Sequence, residues 1–162
     1  MLHGFPENSW SWEHYLHTFS HSYRVYEPDL PGYNHSVGLG KDDNYTLVNL
    51  IACLVEFIES VSKKQKVVLV AHDWGGVIAW PLVAFNAKLI STLIIMNAAH
   101  PSTFTREMAS NTLQQKRSDY ITDLISDEGY DKVSANNYKM LKRLYGGWFD
   151  KLSALQQKHY LA

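Results

Sequence analysis

One acidic residue stands in the segment Val-Ala-His-Asp-Trp-Gly-Gly at residues 70–76. An apolar, β-branched run precedes the segment and an apolar helical pattern follows it. The pattern therefore predicts a strand, a tight turn and a helix, with Asp73 at the turn. An ordinary aspartate has a pKa of about 3.9 and is ionised at neutral pH. Unlike a serine, an ionised aspartate needs no base to activate it. The pattern therefore favours a carboxylate nucleophile that forms an ester with an electrophilic carbon.

The elements around this turn alternate between strands and helices. Helical spacing covers residues 10–19, 46–62 and 75–85, and strand patterns cover residues 24–27, 67–70 and 89–96. This order predicts an α/β fold, a parallel sheet covered by helices. Parallel sheets place their sites beyond the carboxyl ends of the strands. Three loops follow candidate strands in this way, at residues 3–6, 29–32 and 72–75.

The pattern changes after His100 and Pro101. No strand is predicted from there to Ala162, and helical spacing covers residues 103–110, 113–124, 136–145 and 153–161. We therefore expect two domains, a core over residues 1–99 and a helical part over residues 100–162.

Composition limits the classes of partner. The chain has 162 residues, is 46% hydrophobic and carries a formal net charge of -1 with no basic block. These values favour a globular protein and disfavour nucleic acid or a membrane surface as a partner. The single cysteine, Cys53, gives neither a disulfide framework nor a metal set. With no leader pattern or apolar membrane span in the sequence, we expect a cytoplasmic location. The sequence says nothing of the oligomeric state.

Four motifs occur in a fixed order along the first two thirds of the chain. They are HGFPE at residues 3–7, DLPGYNHS at 29–36, HDWGG at 72–76 and NAAHP at 97–101, the last followed by Phe104, Asn111, Gln114 and Tyr120. In this order the motifs resemble the epoxide hydrolase and haloalkane or haloacetate dehalogenase branch of the α/β-hydrolase superfamily. The resemblance implies an α/β-hydrolase-type sheet and the start of a helical cap, or lid.

The resemblance also implies roles for individual residues. Asp73 would be the nucleophile, and the backbone N–H groups of Phe5 and Trp74 would form the oxyanion hole. Tyr120 would hydrogen-bond the epoxide oxygen as one of two cap tyrosines. Phe5, Trp74 and His100 would line the substrate pocket. The substrate would be a small apolar electrophile, and neither a metal nor an organic cofactor is implied.

The choice between epoxide and halide substrates is less direct. No arginine flanks Asp73 to hold a haloacid carboxylate, and Phe5 stands where haloalkane dehalogenases often have a halide-binding asparagine. A phenol with an ordinary pKa of about 10 can protonate a leaving alkoxide, which gives Tyr120 a use in epoxide opening, whereas a leaving halide needs no acid. We therefore expect epoxide opening to a vicinal diol, with carbon–halogen hydrolysis as the alternative.

The sequence also predicts structural roles for residues in the loops at residues 3–7 and 29–36. His3 is expected to brace the loop that follows it, and Asp29 to shape its own loop through local hydrogen bonds. Asn34 stands where the family usually has glycine, and asparagine tolerates left-handed backbone better than most residues.

The resemblance places further catalytic groups after residue 162. In this superfamily the order is nucleophile, acid, then histidine. We therefore expect the chain to be an internal or truncated fragment that lacks the acid, the histidine base and the second cap tyrosine. An alternative of another class follows, in which the chain is a non-catalytic module.

Overall fold

The sheet consists of two parallel strands, β1 (Val67–His72) and β2 (Ile90–Met96). Val70 lies opposite Ile94, and Leu2 joins β1 on its other edge through a bridge to Ala71. The computed structural model describes residues 1–160 of the chain. The predicted α/β fold with a parallel sheet is confirmed.

Three α-helices accompany the sheet in the first compact unit, Met1–His100. They are α1 (Glu13–Phe19), which follows a 3₁₀ turn at Ser9–Trp12, α2 (Leu47–Ser62) and α3 (Asp73–Phe85). α2 begins where the Thr46 hydroxyl accepts a hydrogen bond from the Asn49 N–H, a typical N-cap. The buried core joins one stripe of α2 to β1 and α3, with Leu50, Leu54, Ile58, Leu69, Ala71, Ile78 and Leu82.

The prediction of a strand at residues 24–27 is wrong. This segment has no strand assignment, although the Tyr26 carbonyl accepts a hydrogen bond from the Met1 amino group. A strand exists only where its backbone groups pair with a neighbour. A groove separates this segment from β1, so the ladder that would define a strand is not made.

The second compact unit begins at Pro101 and is helical. It contains α4 (Pro101–Ser110), α5 (Thr112–Leu124), α6 (Gly129–Tyr145) and α7 (Ala154–Tyr160), with a 3₁₀ turn at Gly146–Lys151. α6 is broken by non-helical dihedral angles between Ala135 and Tyr138, and its first part was not predicted. The last predicted helix extends to residue 161, which lies outside the described residues. None of the described helices is long and apolar enough to cross a bilayer.

Candidate active site

Asp73 lies at the junction between β1 and α3. β1 ends at His72, whose backbone is extended, and α3 begins at Asp73. Asp73 has a φ of 45°, a left-handed backbone that is uncommon for any residue except glycine. Strained positions of this kind cluster at functional sites. Asp73 thus lies at the turn that the sequence pattern predicts, and its side chain is half-buried.

The loop after His3 meets this carboxylate directly. The Phe5 N–H donates a hydrogen bond to Asp73 Oδ1 at 2.8 Å. Gly4 makes the approach possible, because a Cβ at this position would lie 2.5 Å from Asp73 Cβ and 2.8 Å from Oδ1. The structure thus brings together two of the residues that the sequence selected, Phe5 and Asp73.

Two further glycines allow α3 to pack closely against its surroundings. The Gly75 N–H donates to the His3 carbonyl at 3.0 Å, and a Cβ on Gly75 would lie 2.5 Å from that same oxygen. A Cβ on Gly76 would lie 2.5 Å from Ala98 Cβ, in the segment that leaves β2. The start of α3 is therefore in contact with both loops only because these positions lack side chains.

His3 stabilises the loop at residues 3–7 as a neutral, fully buried imidazole. Its Nε2 accepts a hydrogen bond from the Leu30 N–H at 2.9 Å, so the proton lies on Nδ1, which donates to the Gly4 carbonyl at 2.9 Å. Burial lowers the pKa of His3 and favours this neutral form. Both ring nitrogens are occupied, so His3 braces the loop and has no nitrogen left to act as a base.

Tyr33 is a member of this site that the sequence analysis missed. Its ring packs edge-on against His3 with the centroids 4.8 Å apart. Burial, with a smaller contribution from the negative charge of Asp73, raises the pKa of Tyr33 to about 12. Tyr33 therefore stays protonated close to Asp73. A tyrosine within a turn motif carries no periodic signal, so only the fold could reveal this proximity.

An ion pair joins the loop to β1 beside the nucleophile. Glu7 Oε2 lies 3.0 Å from His72 Nδ1, and the Glu7 N–H donates to the Gly4 carbonyl at 3.0 Å. The hydrogen bond to Glu7, together with the charges of Glu7 and Asp73, raises the pKa of His72 despite its partial burial. The sequence placed Glu7 in a motif but gave it no role.

Asp29 organises the neighbouring loop. Its carboxylate accepts hydrogen bonds from the Ser9 N–H at 2.8 Å and from the Asn34 side chain at 3.0 Å. Burial by itself would raise the pKa of Asp29, but these hydrogen bonds outweigh it and hold the pKa below its usual value. Asn34 has a φ of 44°, which explains how it can replace glycine there.

The remaining predicted residues lie at three different places. Trp74 is in the first turn of α3, where backbone N–H groups have no acceptor within the helix, and its side chain packs against the core. The His100 ring lies against Trp80, with centroids 4.9 Å apart. Tyr120 lies on α5 in the second unit and is 41% exposed.

Comparison with known protein families identifies the fold of this chain. The sequence profile of the alpha/beta hydrolase fold matches residues 1–136. The chain belongs to the α/β-hydrolase fold family.

Similar proteins include several named epoxide hydrolases. Epoxide hydrolase 4 of Mus musculus is 38% identical over 146 residues, and epoxide hydrolase 2 of Caenorhabditis elegans is 33% identical over 149 residues. These matches cover 90% and 91% of this α/β-hydrolase chain but 40% and 41% of the two relatives. The chain thus spans less than half the length of these two relatives.

Solved structures of epoxide hydrolases superpose on nearly the whole of this chain. The epoxide hydrolase of Bacillus megaterium in complex with an inhibitor superposes with a TM-score of 0.86 at 32% identity, covering 98% of this chain and 57% of that protein. A mutant of the same enzyme complexed with its product, a naphthyloxy-propanediol, superposes with a TM-score of 0.89 and also at 32% identity, covering 99% of this chain and 58% of that one.

Proposed function

We propose that this chain carries the nucleophile and oxyanion-hole part of an epoxide hydrolase. The observation that carries the proposal is the 2.8 Å hydrogen bond from the Phe5 N–H to Asp73 Oδ1 at the start of α3. It fixes one carboxylate oxygen and leaves Oδ2 for attack on a substrate carbon. The similarity to epoxide hydrolases supports an epoxide as that substrate.

In the first step, Asp73 Oδ2 attacks a ring carbon of the epoxide. The C–O bond of the ring breaks, and its electron pair stays on the epoxide oxygen, which takes a proton from the Tyr120 hydroxyl. The product is a hydroxyalkyl ester of Asp73 in which Oδ1 is the ester carbonyl oxygen. No base is needed, because the carboxylate of an ordinary aspartate is ionised at neutral pH.

In the second step, water adds to the ester carbonyl carbon, and negative charge develops on Oδ1. The Phe5 N–H already points at this oxygen, and the Trp74 N–H is the proposed second donor. Removing one such donor typically costs about 2.7–4 kcal/mol in the barrier. Collapse of this intermediate breaks the bond between the carbonyl carbon and the ester oxygen. One proton of the attacking water goes to that oxygen, which gives the diol, and the other returns to the Tyr120 phenolate, so that the Asp73 carboxylate and the phenol are both restored.

We further propose that residues 100–162 form part of a cap, that Tyr120 hydrogen-bonds the epoxide oxygen, and that Phe5, Trp74 and His100 line the substrate pocket. Aromatic side chains at these positions suit a small apolar electrophile. The reaction uses neither a metal nor an organic cofactor. A cytoplasmic location, consistent with the single cysteine, is part of the same proposal.

The test is to incubate the chain with styrene oxide, record the intact mass and map the modified peptide. We expect a mass increase of one substrate molecule on Asp73. The adduct should persist, because both ring nitrogens of His3 are occupied and His72 Nδ1 is bonded to Glu7.

The matched control is Asp73→Asn, which keeps an oxygen acceptor for the Phe5 N–H but removes the nucleophilic carboxylate. We expect this variant to melt within a few degrees of the parent and to form no adduct. An adduct on another residue, or none on Asp73, contradicts the proposal and favours the non-catalytic module. Rapid diol release contradicts the expectation that the ester persists.

A further inference from the structure

The loop that carries Phe5 is held at both ends by two adjacent residues of another segment. At the start of the loop, the Leu30 N–H donates a hydrogen bond to His3 Nε2 at 2.9 Å. At its end, the Ser9 N–H donates to Asp29 Oδ1 at 2.8 Å. Consecutive residues have a fixed Cα–Cα separation, so Asp29 and Leu30 together set the distance between the two ends of the loop.

The two ends differ in what holds them. His3 and Leu30 are fully buried, and the other ring nitrogen of His3 is bonded to the Gly4 carbonyl. Ser9 is the first residue of a 3₁₀ turn, and the first N–H groups of a helical turn have no acceptor within it. The Ser9 N–H therefore depends on the Asp29 carboxylate for its partner.

The Asp29 carboxylate is itself fixed by its own loop. Its Oδ2 accepts hydrogen bonds from the Asn34 side chain at 3.0 Å and from the His35 N–H at 3.4 Å. The Asp29 carbonyl accepts a further bond from the Ser36 hydroxyl at 2.7 Å. The orientation of the carboxylate is thus set before it meets Ser9, and the bond between them passes that orientation to the loop at residues 3–9.

Phe5 lies between the two held ends. Its N–H donates to Asp73 Oδ1 at 2.8 Å. The Glu7 N–H donates to the Gly4 carbonyl at 3.0 Å and closes the loop on itself, so a displacement at Ser9 is carried to Phe5. Since a hydrogen bond weakens steeply as its angle falls towards about 120°, a small rotation of the loop weakens the bond to Asp73.

We propose that Asp29 is a positioning residue that holds the Phe5 N–H against Asp73 Oδ1 and so promotes cleavage of the Asp73 ester rather than its formation. The inference rests on the proposed function, in which that ester is the intermediate. Negative charge leaves the carboxylate as the ester forms, so a donor on Oδ1 gives the first transition state no advantage over the free carboxylate. Charge returns to Oδ1 when the ester carbonyl is attacked, and a donor already in place then lowers the barrier.

The experiment forms the ester by incubating the chain with styrene oxide and then cleaves it with hydroxylamine near neutral pH. The hydroxylamine nitrogen adds to the ester carbonyl carbon, and negative charge develops on Oδ1 as it does with water. The bond to the ester oxygen then breaks, and that oxygen takes a proton from the nitrogen through solvent. The products are the diol and a hydroxamic acid on Asp73. Hydroxylamine is a stronger nucleophile than water and needs no histidine base, and time-resolved intact mass measures both rates.

The variant Asp29→Ala should slow the cleavage by about tenfold or more, short of the roughly 100-fold cost of removing an oxyanion donor outright. Formation of the ester should keep the parent's rate, because the turn that carries Asp73 is unchanged. Asp29→Asn keeps an oxygen that can accept the Ser9 N–H and should retain most of the cleavage rate. The matched control is Asp42→Ala, which removes an exposed carboxylate from another 3₁₀ turn and should change neither rate.

A second variant removes the same hydrogen bond from its other side. Ser9→Pro takes away the N–H, and proline suits this position because it is the first of a helical turn and follows an extended Asn8. It should reproduce the slower cleavage and the unchanged formation. If Asp29→Ala fails to fold, Ser9→Pro decides the matter.

Amide deuterium exchange measures the hydrogen bonding of Phe5 without any ester. We expect the Phe5 amide to exchange faster in Asp29→Ala than in the parent, while the amide of Ile78, buried in α3, keeps its rate. If the parent forms no ester on Asp73, the proposed function fails, and this measurement still decides whether Asp29 positions Phe5.

Unchanged cleavage in a folded Asp29→Ala or Ser9→Pro variant overturns the proposal, and so does unchanged exchange at Phe5. Equal slowing of ester formation and cleavage also overturns it, since that result indicates general damage to the site.

Discussion

Asp73 lies at a turn with a left-handed backbone, and its proposed reactivity depends on the hydrogen bonds around it. The left-handed φ of 45° turns the chain between β1 and α3, and the Phe5 N–H fixes one carboxylate oxygen. Beside it, Glu7 and His72 join the loop to β1 through a contact at 3.0 Å. At the scale of single residues, the site depends on a few polar contacts between two loops that are distant in the sequence.

The ion pair between Glu7 and His72 predicts a pH dependence of stability. The folded-state pKa of His72 is raised, mainly by its hydrogen bond to Glu7. Its stabilising contribution is therefore complete below the unfolded pKa of about 6.5 and is lost as pH rises through the folded value. We expect the parent to be more stable than Glu7→Gln near pH 6, by less than about 1 kcal/mol, and the difference to shrink towards pH 9.

Urea unfolding at several pH values measures this difference. His3 and the Met1 amine, whose pKa values are both lowered by burial, destabilise the fold as pH falls. The effect of the Met1 amine cancels in the comparison, because Glu7 is not among the groups that shift its pKa. The charge of Glu7 slightly raises the pKa of His3, so its removal adds a smaller contribution in the same direction as that of His72. Glu59→Gln, at an exposed position of α2, is the charge-matched control and should show no such trend. A difference that grows with pH would contradict the assignment.

At the scale of elements, close packing of α3 against the His3 loop decides whether the site forms. The contact requires a glycine at residue 75, since a Cβ there would lie 2.5 Å from the His3 carbonyl oxygen and 2.8 Å from Leu2 Cβ. The loop that meets Gly75 also carries Phe5, so displacing it would move the N–H that points at Asp73.

The substitution Gly75→Ala should therefore be destabilising, even though alanine is about 1 kcal/mol better than glycine within a helix. The clash is with backbone, which cannot rotate away, and overpacking typically costs about 1–3 kcal/mol. We expect a net loss of stability in urea unfolding and slower adduct formation on Asp73. Gly147→Ala is the control, because nothing lies within 4 Å of the added Cβ. Equal stability of the two variants would show that the contact is unimportant.

At the scale of the whole molecule, the residues of the proposed reaction are distributed over both units. Phe5 and Asp73 belong to the unit Met1–His100, whereas Tyr120 lies on α5 in the unit that begins at Pro101. A phenol that protonates the epoxide oxygen matters only for a substrate whose leaving group is an alkoxide. This requirement separates epoxide opening from carbon–halogen hydrolysis.

The variant Tyr120→Phe should slow adduct formation with styrene oxide by about 100-fold, at the lower end of what a general acid contributes. Adduct formation with benzyl bromide, if it occurs, should be unaffected, because bromide leaves without a proton. Time-resolved intact mass measures both rates. If both rates fall to the same extent, Tyr120 has a structural role. If neither rate falls, Tyr120 has no part in the mechanism.

Sequence alone determined the elements whose patterns are local. The helical stripe of α2, the β-branched run of β1 and the turn at Asp73 are each encoded within one short window, and the structure confirms them. The helices after Pro101 were also predicted, apart from the first part of α6. The motifs placed Phe5 and Asp73 in one site, and the structure brings these two residues together.

Only the tertiary structure decided the contacts between distant segments. The segment at residues 24–27 has the composition of a strand, yet a strand depends on hydrogen bonds to a neighbour that its own sequence does not contain. Tyr33 beside Asp73 and the pairing of Glu7 with His72 are likewise invisible in the sequence, because burial and electrostatic coupling arise only when the chain brings separate loops together.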